Sequence, residues 1–289
     1  MSGIAYQGVP GAFSEEAAAG FARPGEPLLP CPSFEALFDA VATGRARAGA
    51  VPVENTLAGP VTASWDLLAE RDVRVTGEGV VPVSHALVGV HGARFEDVRR
   101  VHSHAVALAQ CERFFRAHPA IEPVAAADTA GAVEQVVRAG DPTQAALASA
   151  RAAALYGGDV LARALEDHPS NRTRFFRIER TGTGDPGAGG KAALAFRTRH
   201  QPGALWRCLR PFAERGLSLT HVASRPLRHT PFEYRFFLEI AAPGAPGSLE
   251  AAIEELRVEV LELRDFGRFA PAPHPGTTGP SGTTGTGQG

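Results

Sequence analysis

Thr181 to Gly190 read TGTGDPGAGG, and the meaning given to this stretch decides the fold. Gly182, Gly184 and Gly187 fit G-x-G-x-x-G behind the strand-like FFRIE, the pattern of a dinucleotide-binding turn. Such a turn needs a helix to follow, because the helix N-terminus receives the pyrophosphate. Pro186 interrupts instead, and KAALAFRT beyond it has the composition of another strand. Gly190-Lys191 hints at a phosphate-binding loop, but Asp185 holds the earlier glycine position and Ala192 the Ser/Thr position. The stretch reads as a flexible linker over 181–190. It separates a domain at 1–180 from a second at 191–268.

Upstream of the linker, GIAYQG, AGAVPVEN, VRVTGEGV, RRVHSH, IEPVAA and QAALAS have strand character. Between them FSEEAAAGFA, SFEALFDAVATG, TASWDLLAE, HAVALAQCERFFRA, TAGAVEQVVRAG and ARAAALYGG carry apolar residues at helical spacing. Strand–helix alternation predicts an α/β domain with a mostly parallel sheet. Ser14, Asn55 with Thr56, Ser103, Thr129 and Ser149 fall where strands run into helices, the positions of N-caps and of anion sites. Downstream, KAALAFRT, PGALWRCLRPFAERG, LSLTHVASRP, FEYRFFLEIAA, GSLEAAIEELRV and EVLELRDF give the order β-α-β-β-α-β, a ferredoxin-like module. The tail, 269–289, is rich in Gly, Pro and Thr, and reads as disordered.

Composition narrows the function. The 289 residues are 44% hydrophobic and 21% charged, with net charge −2 over 29 basic and 31 acidic residues, which is globular and offers no basic stripe for nucleic acid. No apolar run is long enough to span a membrane, and the N-terminus lacks a signal-peptide pattern, so the expected compartment is the cytoplasm. Cys31, Cys111 and Cys208 form no C-x-x-C pair, which argues against a disulfide framework or a clustered zinc site. His102 and His104 make an H-x-H pair with no evident third ligand nearby, so no metal is expected. Lys191 is the one lysine, and beside glycines it is poorly placed for imine chemistry.

Three strings in the first domain carry a resemblance: AYQGVPGAFSEEAA, VPVENTLAGPVTASWDLL and SNRTRFFRI. In this order and spacing they resemble the prephenate dehydratase family from Gly3 to about Ile178. PGALW and SRP, at Pro202–Trp206 and Ser224–Pro226, resemble the ACT domain that follows in that family. The resemblance implies a periplasmic-binding-protein-like catalytic domain of two lobes with the site in the cleft, plus a regulatory domain that binds L-phenylalanine. It implies conversion of prephenate to phenylpyruvate with loss of water and carbon dioxide, without a cofactor. The family's catalytic threonine falls on Thr173, and its Asn and Gln on Asn55 and Gln110. By the same resemblance Thr56, Ser14, Ser103, His104, Ser149, Asn171, Arg174 and Phe175 are expected at the substrate. Pro202, Gly203, Ala204, Leu205, Ser224, Arg225 and Pro226 are expected at the effector, in a homodimer or homotetramer.

The chemistry fits these residue types. Prephenate carries two carboxylates and an allylic hydroxyl on a ring that becomes aromatic once both groups leave, so aromatisation drives the reaction. A site needs donors for the departing oxygen and a hold on the carboxylates, for which Thr173, Asn55, Gln110 and Arg174 are suited. The chain departs from the family at Ala105-Val106, where Pro-Gln usually follows Ser-His, at Ala223 before Ser-Arg-Pro, and at His200 before the PGAL stretch. No chorismate mutase segment is expected, because the N-terminus opens at the dehydratase strand. Arogenate is the alternative substrate, and a two-lobed sensor without turnover the alternative class.

Overall fold

The computed structural model describes residues 2–182, 189–227, 230, 232–242 and 246–272. Most of the expected linker (183–188), with Gly184 and Gly187 of the glycine pattern, and the tail from 273 onward lie outside them.

The first domain holds two sheets rather than one mostly parallel sheet. In the first, β2 (Leu28–Cys31), β1 (Ile4–Gln7) and β3 (Ala48–Asn55) run parallel. Beyond them β11 (Arg172–Arg180) and β5 (Val73–Pro82) complete the order β2-β1-β3-β11-β5 by antiparallel pairing. The short β4 (Gly59–Pro60) folds back on β3. Helices α1 (Phe13–Phe21), α2 (Phe34–Ala42) and α3 (Thr62–Glu70) flank this sheet and belong to the same lobe. The second lobe has β10 (Asp159–Ala162), β6 (Ala86–Gly89), β9 (Gln144–Ala148), β7 (Arg100–His104) and β8 (Glu122–Ala126), side by side in that order. Its helices are α4 (Ala105–Ala109), α5 (Glu112–Ala117), α6 (Thr129–Ala139) and α7 (Ala150–Tyr156). The chain enters this lobe after β5 and returns through β11, so two crossovers join the lobes. Val83 N donates to Asn171 O across them at 2.9 Å.

Local chemistry sets several of these boundaries. The Ser33 hydroxyl caps α2 at Ala36 N, and the Asp128 carboxylate caps α6 at Gly131 N. Gly140 and Gly157 end α6 and α7 in left-handed conformation. The HAVALAQCERFFRA segment, whose periodicity predicts one helix, is instead broken into α4 and α5 at Gln110-Cys111.

The third sheet combines β12 (Lys191–Arg197), β13 (Ser218–Pro226), β14 (Tyr234–Ala241) and β15 (Glu262–Phe269) in the antiparallel order β13-β14-β12-β15. With α8 (Ala204–Glu214) and α9 (Pro246–Glu259) this is the ferredoxin-like βαββαβ arrangement. The module reaches Phe269, one residue past its expected end, and Ala272 N donates to Glu78 Oε1. Leu194, Phe196, Ile240, Ile253 and Phe212 form its helix-facing core. The opposite face sends Ala193, Ala195, Phe237, Phe266 and Phe269 into one core with Val51, Trp65 and Phe176 of the first lobe. β12 is therefore buried on both faces, which is why AALAF does not alternate with polar residues. Trp65 stacks on His221 of β13 with ring centroids 4.5 Å apart, and Arg225 pairs with Asp66 of α3. Gly267 adopts φ +112, and a Cβ there would lie 2.9 Å from Val75 O, so glycine permits the close approach of β15 to β5.

Candidate active site

A cavity of about 600 Å³ opens between the lobes. Several helix N-termini meet it: α1 through Phe13 and Ser14, α2 through Ser33, Phe34 and Glu35, α6 through Asp128 and Thr129, the short α4 through His104 and Val106, and α3 through its N-cap Val61. Helix N-termini carry partial positive charge and unpaired N–H groups, so they suit a carboxylate. At α1 the N-cap is Ala12, which supplies no side-chain acceptor. No arginine or lysine lines the cavity among the described residues. Its ionisable side chains are Glu35, Asp128, His85 and His104.

Thr173, Asn55 and Gln110 share one wall. β11 and β3 pair Thr173 directly opposite Asn55, so both side chains project from the same face of the sheet. Asn55 Nδ2 donates to Thr173 Oγ1 at 3.0 Å, to Asn171 Oδ1 at 2.9 Å and to Arg172 O at 3.1 Å. Asn55 Oδ1 accepts from Leu57 N and Ala58 N, which turns the chain toward β4 and fixes the amide. Gln110 caps the end of α4; its Oε1 accepts from Asn171 Nδ2 at 2.9 Å and from His85 Nε2 at 3.0 Å, and its Nε2 reaches Asn55 Oδ1 at 3.4 Å. Because Thr173 Oγ1 already accepts from Asn55, its own O–H remains available to donate into the cavity.

Sequence reasoning missed His85, since a single histidine before a short strand carries no pattern. It is 2% exposed, and burial lowers its pKa despite the opposing bond to Gln110. Neutral and bonded to Gln110 Oε1, the ring carries its proton on Nε2, and Nδ1 is buried with no hydrogen-bond partner among the described residues. Thr129 was expected at the start of α6, but Asp128 is its cap and Thr129 its first residue; Asp128 and the α2 cap Ser33, which the sequence reading did not single out, both reach the cleft.

Of the expected substrate contacts, Ser14 and His104 line the cavity with the Thr173 wall. The others have different work. Arg174 follows Thr173 on a strand, so it points to the opposite face and pairs with Glu54, Glu78 and Glu239. Phe175 is 1% exposed in the apolar core, packed with Tyr6 and Val81. Ser103 is buried and donates to Leu147 O, tying β7 to β9. Ser149 caps α7 and donates to Gly11 O, a bridge between the lobes. Thr56 bonds Ser170 O and Arg172 N and holds the return crossover. Asn171 lies behind the wall, where it orients Asn55 and Gln110.

A second cavity, of about 170 Å³, lies in the ferredoxin-like module. Ala204 and Leu205 line it, with His200, Gln201, Tyr234, Phe236 and Leu261. Gly203 begins α8 at φ +73, while Pro202 and Gly203 are exposed beside it. Ser224, Arg225 and Pro226 do not line it: they lie on β13, separated from β12 by β14, and the Arg225 side chain turns to Asp66.

The family profile described as prephenate dehydratase matches residues 4–183. An arogenate dehydratase/prephenate dehydratase of Arabidopsis thaliana is 35% identical over 277 residues, covering 92% of this chain and 72% of its own. A bifunctional N-acyl-homoserine lactone acylase/prephenate dehydratase of Komagataeibacter europaeus is 39% identical over 256 residues, 88% of this chain and 90% of its own. The solved prephenate dehydratase from Arthrobacter aurescens in complex with L-Phe superposes with TM-score 0.83 at 29% identity, covering 92% of this chain and 89% of that one. Fold, cleft and relatives together define a carbon–oxygen lyase with a two-lobed catalytic domain. The chain belongs to the prephenate dehydratase family.

Proposed function

We propose that the cleft carries out the decarboxylating dehydration of prephenate to phenylpyruvate. The observation that carries this reading is the Asn55–Thr173 bond, which leaves a hydroxyl donor facing the cavity. In the reaction the electron pair of the ring C–carboxylate bond moves into the ring and expels the hydroxyl on the opposite carbon. Thr173 donates to that departing oxygen, and Gln110 and Asn55 hold Thr173 and the substrate in register. The leaving carboxylate loses its charge as carbon dioxide forms. A paired arginine would stabilise it more in the ground state than in the transition state, so a cavity without guanidinium groups suits the step. The first-turn N–H groups of α1 and α2 are the receivers for the carboxylate that stays.

Purified protein incubated with prephenate should release phenylpyruvate, followed by its absorbance. Binding without turnover would make the chain a sensor instead. Arogenate is the second reading: Glu35 and Asp128 line the same cavity and offer carboxylates to its ammonium group. Competition between the two substrates decides it.

The C-terminal module acts as an ACT domain whose 170 Å³ cavity takes L-phenylalanine, with the aromatic ring among Leu205, Tyr234 and Phe236 and the carboxylate at the start of α8. Ser224 to Pro226, on the edge strand β13, then serve the effector site of a second copy, so the active form is at least a dimer. The compartment we assign is the cytoplasm.

A further inference from the structure

Arg174 belongs to an ionic cluster, buried except at Glu54, that joins the C-terminal module to the catalytic strand. Its Nη1 lies 2.6 Å from Glu239 Oε2 and 3.0 Å from Glu78 Oε2, and its Nη2 lies 2.9 Å from Glu54 Oε2. Lys191 Nζ reaches Glu78 Oε2 at 2.6 Å and also pairs with Glu239, whose Oε1 accepts from Thr220 Oγ1 at 2.9 Å. The Glu239 side chain is 1% exposed. Three carboxylates thus surround two cations, contributed by strands of both the first lobe and the ferredoxin-like sheet. Burial opposes the charge on Arg174 and Glu239, but their mutual attraction outweighs it: the Arg174 pKa is raised and the Glu239 pKa lowered.

The cluster sits one residue from the reacting hydroxyl. Thr173 pairs with Asn55 and Arg174 with Glu54, so one rung of the β11–β3 ladder faces the cavity and the next faces the module. Immediately beyond, the register slips between Arg174 and Phe175, which leaves Val53 of β3 without an opposite residue. The extra residue belongs to β3, whereas β11 keeps an unbroken register with β5 from Arg172 to Arg177, so it is β3 that bends beside Glu54 and Asn55, and the Arg174–Glu54 pair ties it to β11 at that point. Arg174 is the β11 end of that tie, and Glu239 holds it from the other domain. Glu239 lies on the same strand as Tyr234 and Phe236 of the second cavity.

We propose that Glu239 is a positioning residue for the dehydratase reaction: through Arg174 it sets the aim of the Thr173 hydroxyl. The proposal rests on the assignment of the cleft as the dehydratase site. Displacing a donor by about 1 Å costs about 100-fold when it is complete, and mutations that act through intermediate residues cost about 3- to 30-fold. Glu239→Gln keeps the shape and leaves Arg174 its bonds to Glu54 and Glu78, so kcat for prephenate should fall within that smaller range with KM little changed. In a Thr173→Val background, where no hydroxyl remains to be aimed, Glu239→Gln should leave the residual kcat unaltered. Thr220→Val, which removes only the hydroxyl that holds Glu239, should lower kcat in the same direction by a smaller factor and serves if Glu239→Gln does not fold. An equal loss in both backgrounds overturns the proposal, as does a lowered melting temperature with kcat intact. Wild-type protein that fails to turn over prephenate overturns the cleft assignment itself, and is read before any variant.

Discussion

Thr173→Val separates the chemistry of this wall from its stability. Valine keeps the branched shape of threonine and exchanges the hydroxyl for a methyl group. Asn55 Nδ2 has two hydrogens and three acceptors, Thr173 Oγ1, Asn171 Oδ1 and Arg172 O. Removing the first leaves two acceptors for two hydrogens, so no donor is stranded, and the penalty of about 1–3 kcal/mol for an unsatisfied buried group does not arise. Stability should stay within about 1 kcal/mol, which for a chain of this size is a shift of at most about 2–4 °C in Tm. Catalysis is different, because the substrate loses the donor at its departing oxygen. Loss of one such preorganised donor costs about 10²–10³ in kcat, or about 2.7–4 kcal/mol. The assay is phenylpyruvate formation from prephenate at saturation, with thermal unfolding on the same preparation. Wild-type kcat in Thr173→Val refutes the donor role. A collapse of Tm would show instead that the hydroxyl is structural.

Three further outcomes are expected. His85 is held neutral by burial, so below the ordinary imidazole range the unfolded chain gains a proton that the folded chain resists. Its contribution to stability is full above about pH 6.5 and declines as pH falls from there toward the lowered folded pKa. Tm should therefore drop between pH 7.5 and 5.5, with His221 acting in the same direction, and His85→Asn should flatten the curve; a parallel curve contradicts the argument. Gly267→Ala places a Cβ at φ +112 against Val75 O, and thermal unfolding should show a loss of about 1–3 kcal/mol; an unchanged Tm would mean that β15 can retreat from β5 without cost. Gly203→Val strains the left-handed start of α8 beside the second cavity, so phenylalanine inhibition should weaken while uninhibited turnover persists, measured as an inhibition curve with calorimetry.

Much of the fold could be read because long segments obey one period. AGAVPVEN predicts a strand and is one over Ala48–Asn55, and TASWDLLAE is the helix Thr62–Glu70. The strands Leu28–Cys31, Ala86–Gly89 and Asp159–Ala162 span four residues each, too few for alternation alone to register, whereas the equally short Ile4–Gln7 is marked by the glycines that bound it. HAVALAQCERFFRA has the periodicity of one helix, but Gln110 leaves it to bond Asn171, His85 and Asn55, while its carbonyl accepts from Asp167 N. Tertiary bonds there override local propensity. For the site, motif strings place Thr173, Asn55 and Gln110, but not the direction of their neighbours. The face of Arg174 followed from the alternation of a strand, a rule that outranks the general fitness of arginine for carboxylates. His85 had no local signature, because only the fold brings it to Gln110.

The paired crossovers have a mechanical meaning. Asn55 and Thr173 belong to the first lobe, Gln110 to the second, and His85 and Asn171 to the two connections between them. Any swing that parts the lobes to admit substrate also pulls Gln110 from Asn171 and Asn55. The register of the donors on this wall therefore depends on how the two lobes are set against each other, which ties the alignment of the site to the geometry of the crossovers.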